Sequence, residues 1–381
     1  MSLNPSSIQR VAIIGGGVAG LTLAIALQRK GFTVSVHEKY SHDQSHATGF
    51  LIWSYAIKIL QDLDVPIDAC GAPLEVFRMH GRKGRALVDM PIGPISRRHG
   101  ADSYEVNRLR LHRTLAAMVG DDLKLGHDCI SVRSEADHAI ATFADGSSVQ
   151  ADVVIACDGA NSAVRRCLHP EVRLRMLDSG GWIAVIDQIP EGLPVGYQMD
   201  FWQAGCKAGV AHIGHGQVRW YVGFTGFQPL DSEPKKQQIR RRMTPLPDLI
   251  QRCLDLTEDE QMVSTQAGDL LALTPWYRGR VLMIGDAAHA TSPYAGMGAC
   301  AAIADAAALA DLLGSGLPVP ELFQRFQDIR KPAADAVIQE SRVSLRRTTC
   351  GGVRAWMRDW FFRQIPEQKM EEIVTAMVLG Q

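Results

Sequence analysis

No sign of charge dominates this chain. Forty Lys and Arg stand against 41 Asp and Glu, for a formal net charge of -1. That balance leaves no electrostatic footprint for nucleic acid or an anionic membrane. The eight cysteines, at 70, 129, 157, 167, 206, 253, 300 and 350, form no C-x-x-C pair and no metal spacing. Several lie in apolar runs, so reduced, buried thiols in a cytoplasmic protein are expected. A long apolar run is also missing. The alanine-rich stretch after Gly296 is interrupted by Asp305 and Asp311, which excludes stable membrane insertion. No secretory segment precedes the first apolar run; Met1 to Gln9 is polar and reads as frayed. Neither tandem repeats nor low-complexity segments occur. At 381 residues, 46% of them hydrophobic, the chain can bury a large core and reads as two structural domains.

What is present begins with Val11-Ala-Ile-Ile-Gly-Gly-Gly-Val-Ala-Gly20, then Leu21 to Lys30 and Thr33-Val-Ser-Val-His-Glu38. The pattern is strand, glycine turn, helix and a second strand ending in an acid. In such a turn Gly15 makes the tight bend, Gly17 lets the backbone approach a pyrophosphate, and Gly20 lets helix and strand pack closely. Glu38 stands where a carboxylate can hold the hydroxyls of an adenosine ribose. Val18 and Ala19 within the turn and Lys39 beside the acid complete this candidate dinucleotide site.

A second signal lies near the other end, in Arg280-Val-Leu-Met-Ile-Gly-Asp-Ala-Ala-His289 and Pro293-Tyr-Ala-Gly-Met-Gly298. Val281 to Ile284 reads as a buried parallel strand, and a helix follows from about Gly296. Gly285-Asp286 closes the strand with a carboxylate suited to sugar-alcohol hydroxyls. The helix start offers free N–H groups and a positive dipole end to an anionic heterocycle. By itself the segment also fits an ordinary turn with Asp286 as a cap. A third strand-to-helix turn, Cys157-Asp158-Gly159-Ala-Asn161-Ser162, has a similar plain reading with Asn161 or Ser162 as the cap.

Between these motifs the chain interleaves. An amphipathic helix is expected at Ala56 to Leu63, short antiparallel strands over 76 to 100, and a helix over Arg108 to Val119 with Leu109, Leu115, Ala116 and Met118 inward. Asp145-Gly146 marks a hairpin. Strands are read at Trp182 to Ile186, Tyr197 to Trp202, Ala208 to Ile213 and Arg219 to Phe224, with polar helices at Pro234 to Met243 and Pro247 to Leu254. The fold class is therefore α/β. A Rossmann-like nucleotide domain (1–74, 101–174 and 271–381) interleaves with a β-sheet-rich domain (75–100 and 175–270), and helices finish the chain.

The glycine fingerprint with Glu38, Arg108 opening a helix, Asp158-Gly159, and Gly285-Asp286 with Pro293 and Gly298 occur in the order found in the single-component FAD-dependent aromatic hydroxylases. The chain resembles that family over most of its length. Cys300 within Gly296-x-Gly-x-Cys-x-Ala-x-x-Asp305-Ala306 is similar to the branch of urate hydroxylase, salicylate hydroxylase and zeaxanthin epoxidase. Met297 departs from that branch's usual Gln, and Ser54-Tyr55 from its frequent Pro-Asn.

The resemblance implies non-covalent FAD, held by Gly15, Gly17, Gly20 and Glu38. Arg108 would lie near the pyrophosphate, Asp158 would shape the groove, Gly285-Asp286 would hold the ribityl chain, and Pro293, Gly296, Gly298 and Ala299 would lie near the flavin ring. For His289, packing against the backbone competes with ligand contact. The implied reaction hydroxylates a small aromatic or heteroaromatic substrate with dioxygen and transient NADPH or NADH, through a flavin hydroperoxide. The implied protein is a monomer or homodimer that binds no nucleic acid or metal.

Candidate substrate-lining residues are Trp182, Tyr197, Trp202, Lys207, His212, Arg219, Trp220 and Tyr221, of which alternation lets about half face inward. Lys207, His212 and Tyr221 are the substrate-positioning candidates, the first two because a cation beside the ring can stabilise an anionic substrate. Ala355 to Phe362 reads as packing on the cofactor domain, with a lid, dimer contact or membrane-surface helix as alternatives. A flavin oxidase, reductase or halogenase on the same scaffold, and a non-catalytic flavin-binding regulator, are the rival functions. The Trp-x-Trp-x-Ile segment usual in such halogenases does not occur.

Overall fold

Val11 to Ile14 are all buried, as a central strand covered on both faces requires. This segment, Arg10–Ile14, pairs in parallel with Thr33–Glu38 on one side and Val153–Ala156 on the other. The computed structural model describes residues 8–41, 48–271 and 273–380. Leu123–Leu125, Val281–Met283 and the antiparallel Tyr277–Arg278 complete a six-stranded sheet. Helices Val18–Arg29 and Gly298–Leu313 pack against one another and share the large core with that sheet. Of the segment read as frayed, residues 1–7 lie outside the described residues. Ile8 is buried, and the Gln9 N–H donates to Asp152 Oδ2 at 2.8 Å, so these two residues are tied to the fold rather than frayed.

The second body is a seven-stranded sheet in the order Val263–Asp269, Arg175–Ile186, Val218–Thr225, Cys206–His212, Tyr197–Gln203, Val76–His80, Ala86–Pro91. All neighbours are antiparallel except Tyr197–Gln203 with Val76–His80. Segments distant in sequence, 76–91 and 175–269, thus share one sheet. Its outer face carries Trp182, Ala208, Val210, Trp220, Val222 and Phe224 into a separate core under helices Lys235–Arg242 and Asp248–Asp255. The opposite face turns toward the cofactor sheet.

Several local expectations shift. The early helix runs Ser54–Asp62, and residues 92–98 are helical after only two strands. Helix Arg108–Val119 buries Leu111, Leu115 and Val119, a strict four-residue spacing, while Ala116 and Met118 are only partly covered. Gly146, in the left-handed region at φ +86, makes the expected hairpin.

Near the C-terminus, Gly352–Gln364 buries Ala355, Arg358 and Asp359. Phe362 meets Trp202 edge to face at 5.4 Å, and the Arg82 N–H donates to Asp359. This helix therefore also packs on the seven-stranded sheet, with Trp356, Met357, Trp360 and Phe361 exposed on its other side. No helix among the described residues is long and apolar enough to cross a membrane.

Candidate active site

The glycine turn is built as its spacing predicts. Gly15 sits at φ +105, and a Cβ there would come 2.4 Å from the Cys157 carbonyl oxygen. A Cβ on Gly20 would lie 2.0 Å from the Gly15 oxygen, so this glycine sets the contact between helix and strand. A Cβ on Gly17 would meet no protein atom within 4 Å, so the backbone there borders open space. Glu38 accepts from the Gly16 N–H at 2.7 Å and from the Tyr40 N–H at 3.2 Å. It thereby braces the turn as well as standing at its rim. Lys39 lies over the Tyr40 ring, and Val18 and Ala19 open the first turn of the helix.

Asp286 reaches the same cleft from the far side of the sheet. Gly285, at φ +58, is wedged so that a Cβ would lie 3.3 Å from Ala302 and 3.4 Å from Ala19. Asp286 thus stands between the starts of helices Val18–Arg29 and Gly298–Leu313. Neither helix has a side-chain cap, which leaves first-turn N–H groups, including those of Gly298 and Ala299, for a ligand. The Asp286 carboxylate has no hydrogen-bond partner among the described residues, and its side chain is open to solvent. Protein atoms nevertheless crowd around it. That desolvation raises its pKa against the pull of His289, Arg108 and Arg165. Arg108 is exposed at the start of its helix, capped by Asn107, whose side chain accepts from the N–H groups of Leu109 and Arg110.

Asp158 has a double character. One oxygen caps the helix after it, accepting from Ala163 at 2.7 Å and Val164 at 3.1 Å. The other, Oδ1, is buried without a partner. Ser162 caps as well, accepting from the Arg165 N–H, while Asn161 makes no such contact.

Asp305 is the group that sequence reasoning passed over. Fully buried, it accepts from the Gly285 N–H at 2.9 Å, lies 2.6 Å from His289 Nε2, and takes Arg330 Nε at 2.7 Å. Burial alone would raise its pKa, but His289 and Arg330 hold it below the usual carboxylate value. Burial likewise opposes charge on His289, and Asp305 overcomes it, so the imidazole pKa is raised. His289, its ring tilted against Trp276, is therefore a tether, to a carboxylate rather than to the backbone. An acid set amid alanines in the middle of a helix was the signal available in the sequence.

Adjoining the cleft is a mainly apolar cavity of about 260 Å³, between the inner face of the seven-stranded sheet and strand Gly49–Ile52. Pro293 to Gly296 line it on the cofactor side, and Gly296 adopts the left-handed conformation at φ +66 just before the helix at Gly298. The Tyr294 hydroxyl bonds to Ser179, and its carbonyl accepts from Ser344 at 2.9 Å. Of the eight lining candidates, Lys207, Arg219 and Tyr221 border the cavity from the inner face; Trp182 borders it as part of the strand segment Gly180 to Ile183, while its ring packs in the outer core on Phe224 and Phe227. Trp220 is turned away and donates to Thr257 in the outer core, while Trp202 packs on Phe362. Tyr197 sits under Arg78.

His212 does not line the cavity either. It shares the strand parity of Cys206, Ala208 and Val210, the outer-core face, five residues from Lys207 and so opposite to it. Burial lowers its pKa, with a smaller push from His215.

Beneath the cavity wall lies a polar cluster that was not foreseen. Asp200, fully buried, is 2.9 Å from Lys207 Nζ and accepts from the Tyr221 hydroxyl at 2.9 Å and Gln198 Nε2 at 3.1 Å. Arg219 grips Glu105 with two bonds of 2.6 and 2.7 Å, both groups buried. Burial disfavours the guanidinium charge, but Glu105 outweighs it and raises the Arg219 pKa. Burial, reinforced by Asp200, keeps the Tyr221 phenol protonated by pushing its pKa well up.

Comparisons with known proteins agree with this geometry. The chain is 29% identical to aurachin C monooxygenase/isomerase of Stigmatella aurantiaca over 95% of each chain. It is 24% identical to the FAD-dependent urate hydroxylase of Klebsiella pneumoniae subsp. pneumoniae over 97% of each. Klebsiella pneumoniae HpxO complexed with FAD and uric acid superposes with a TM-score of 0.90 at 21% identity, covering 98% of this chain and 97% of that one. A salicylate hydroxylase substrate complex gives 0.78 at 21% identity over 99% of each. These two likenesses show a shared fold. The family model described as the FAD binding domain matches residues 9–341, from the first strand of the cofactor sheet into the long helix that carries Arg330, and the chain belongs to that family.

Proposed function

We propose that this protein is an FAD-dependent monooxygenase that hydroxylates a small aromatic or heteroaromatic substrate at the expense of NADPH or NADH and dioxygen. The observation that carries this reading is the shared wall. The segment Pro293 to Gly296 borders the apolar cavity and leads directly into the uncapped helix at Gly298 beside Asp286.

The residues present fit the cofactor. Gly17 leaves room where a pyrophosphate would approach, and Glu38 stands at the ribose end. Asp286 has a free carboxylate for the ribityl hydroxyls, and the N–H groups of Gly298 and Ala299 suit the flavin pyrimidine edge. Arg108 supplies a cation near the pyrophosphate, and Asp158 a wall of the groove. When bound, the reduced flavin supplies the activation of dioxygen. The protein's part is to orient the ring, through Lys207 and Tyr221 on the sheet, and to exclude water with Phe50, Trp53 and Phe77 around the cavity.

In this reading residues 1–74, 101–174 and 271–381 hold the cofactor, and 75–100 with 175–270 hold the substrate. Dioxygen and the nicotinamide are transient partners, the protein acts as a monomer or homodimer, and the cytoplasm is its place of action. The deciding measurement is NAD(P)H consumption matched by hydroxylated product across a panel of phenols, hydroxypyridines and purines. Consumption without product would favour an oxidase or reductase. Absence of consumption, with FAD bound, would favour a regulator.

A further inference from the structure

The cavity contains two cations, and a buried carboxylate already neutralises each. Lys207 Nζ lies 2.9 Å from Asp200 Oδ2, and Arg219 makes its paired bonds to Glu105. No other charged side chain lines the cavity among the described residues. Moving a carboxylate out of water is strongly unfavourable unless a free counter-charge receives it. Here no cation is free, and an anion drawn to Lys207 would also meet the fixed charge of Asp200 at close range.

Hydrogen-bonding capacity, by contrast, is left over. Gln198 spends its amide N–H on Asp200, which orients its Oε1, and that oxygen is buried without a partner. Trp53 Nε1 is a buried donor in the same condition. The Tyr221 hydroxyl gives its proton to Asp200 and so offers only lone pairs. A buried polar group left unpaired carries an uncompensated desolvation cost, which a ligand with matching groups recovers.

We propose that this cavity selects uncharged aromatic or heteroaromatic ligands bearing both an N–H or O–H donor and a carbonyl or hydroxyl acceptor, and rejects carboxylate-bearing aromatics. The inference rests on the monooxygenase reading for what the cavity is for, while the charge preference follows from the two ion pairs alone.

Equilibrium dialysis of the FAD-loaded protein at neutral pH tests it with matched pairs, phenol against 4-hydroxybenzoate and 2-pyridone against its 6-carboxylate. The neutral member should bind at least about tenfold more tightly, a difference near 1.4 kcal/mol. Asp200→Asn, which leaves Lys207 without its counter-charge, should narrow or invert that order. Equal or tighter binding of the carboxylates by the unaltered protein would overturn the proposal, as would an order unchanged in a folded Asp200→Asn variant. If that variant does not fold, the unaltered protein decides alone. Binding needs no turnover. Loss of the monooxygenase reading would therefore appear as missing product with the binding order intact, and loss of this inference as the reverse.

Discussion

His289 Nε2 and Asp305 Oδ2 stand 2.6 Å apart, both buried, and the same oxygen receives the Gly285 N–H at 2.9 Å. One carboxylate in the helix Gly298–Leu313 therefore fixes the turn that presents Asp286 to the cleft. Arg330 closes the cluster from the long helix Val319–Thr349.

Asp305→Ala should cost about 3–5 kcal/mol, because it strands a buried imidazole and guanidinium together. Denaturant unfolding measures this, and an unaltered midpoint would show that the cluster is dispensable. Weaker FAD binding should accompany the loss, although Asp305 itself is buried beneath the turn.

Asp286→Ala and Glu38→Ala should each weaken FAD binding about ten- to a hundredfold, corresponding to about 1.5–3 kcal/mol for hydrogen bonds involving a charged group. Arg108→Ala should do so less, since that side chain is exposed. Titration of the apoprotein with FAD gives the constants. The yellow colour should stay in the supernatant after acid precipitation, as non-covalent binding requires.

Gly20→Ala and Gly17→Val should separate folding from binding. A Cβ on Gly20 lies 2.0 Å from the Gly15 carbonyl oxygen, so that variant should lose stability even without cofactor. A side chain on Gly17 meets no protein atom within 4 Å. Gly17→Val should melt near the unaltered apoprotein yet bind FAD poorly. Equal melting losses in both variants would contradict this division.

Acidification should destabilise the protein through His37. Burial, with smaller contributions from His127 and Lys124, lowers its pKa from 6.5 to about 4. The unfolded chain then binds the proton more readily, so stability is intact above pH 6.5 and falls as pH drops toward 4. The loss is on the order of 1–3 kcal/mol. His37→Phe should flatten this part of the stability profile; an identical slope in the variant would assign the dependence elsewhere.

NAD(P)H oxidation should be slow without an aromatic ligand and accelerate when one binds, since an unoccupied wet site wastes reducing equivalents. Tyr294, tied to Ser179 and Ser344, restrains the loop that holds Gly296. Tyr294→Phe, which removes the hydroxyl tether to Ser179, should raise ligand-free oxidation. Anaerobic stopped-flow reduction with and without ligand checks both statements.

The cofactor half was largely legible in the sequence because its requirements are local. Gly15 and Gly285 are needed by their left-handed backbone, Gly20 by its close approach to Gly15 five residues earlier, and the acids follow their strands directly. The apolar run at 281–284 announced a buried parallel strand for the same reason, and the run at 11–14 a strand. Helix faces were less legible. Leu109 looked inward on pattern alone, yet packing chose Leu111, Leu115 and Val119.

The seven-stranded sheet marks the limit of sequence reasoning. Alternation by itself determined that Lys207 and His212 point to opposite faces, because an odd separation along a strand must do so. It did not determine which face meets substrate, since both faces are covered, one by helices and one by the cofactor sheet. Nor did it reveal that each cavity cation has a buried partner. Asp200 is seven residues before Lys207, but Glu105 reaches Arg219 from a strand more than a hundred positions earlier. Chemistry set by neighbours along the chain was written in the order of residues. The charge of the cavity is set by groups that only the assembled sheets bring within bonding distance, so tertiary structure alone decided it.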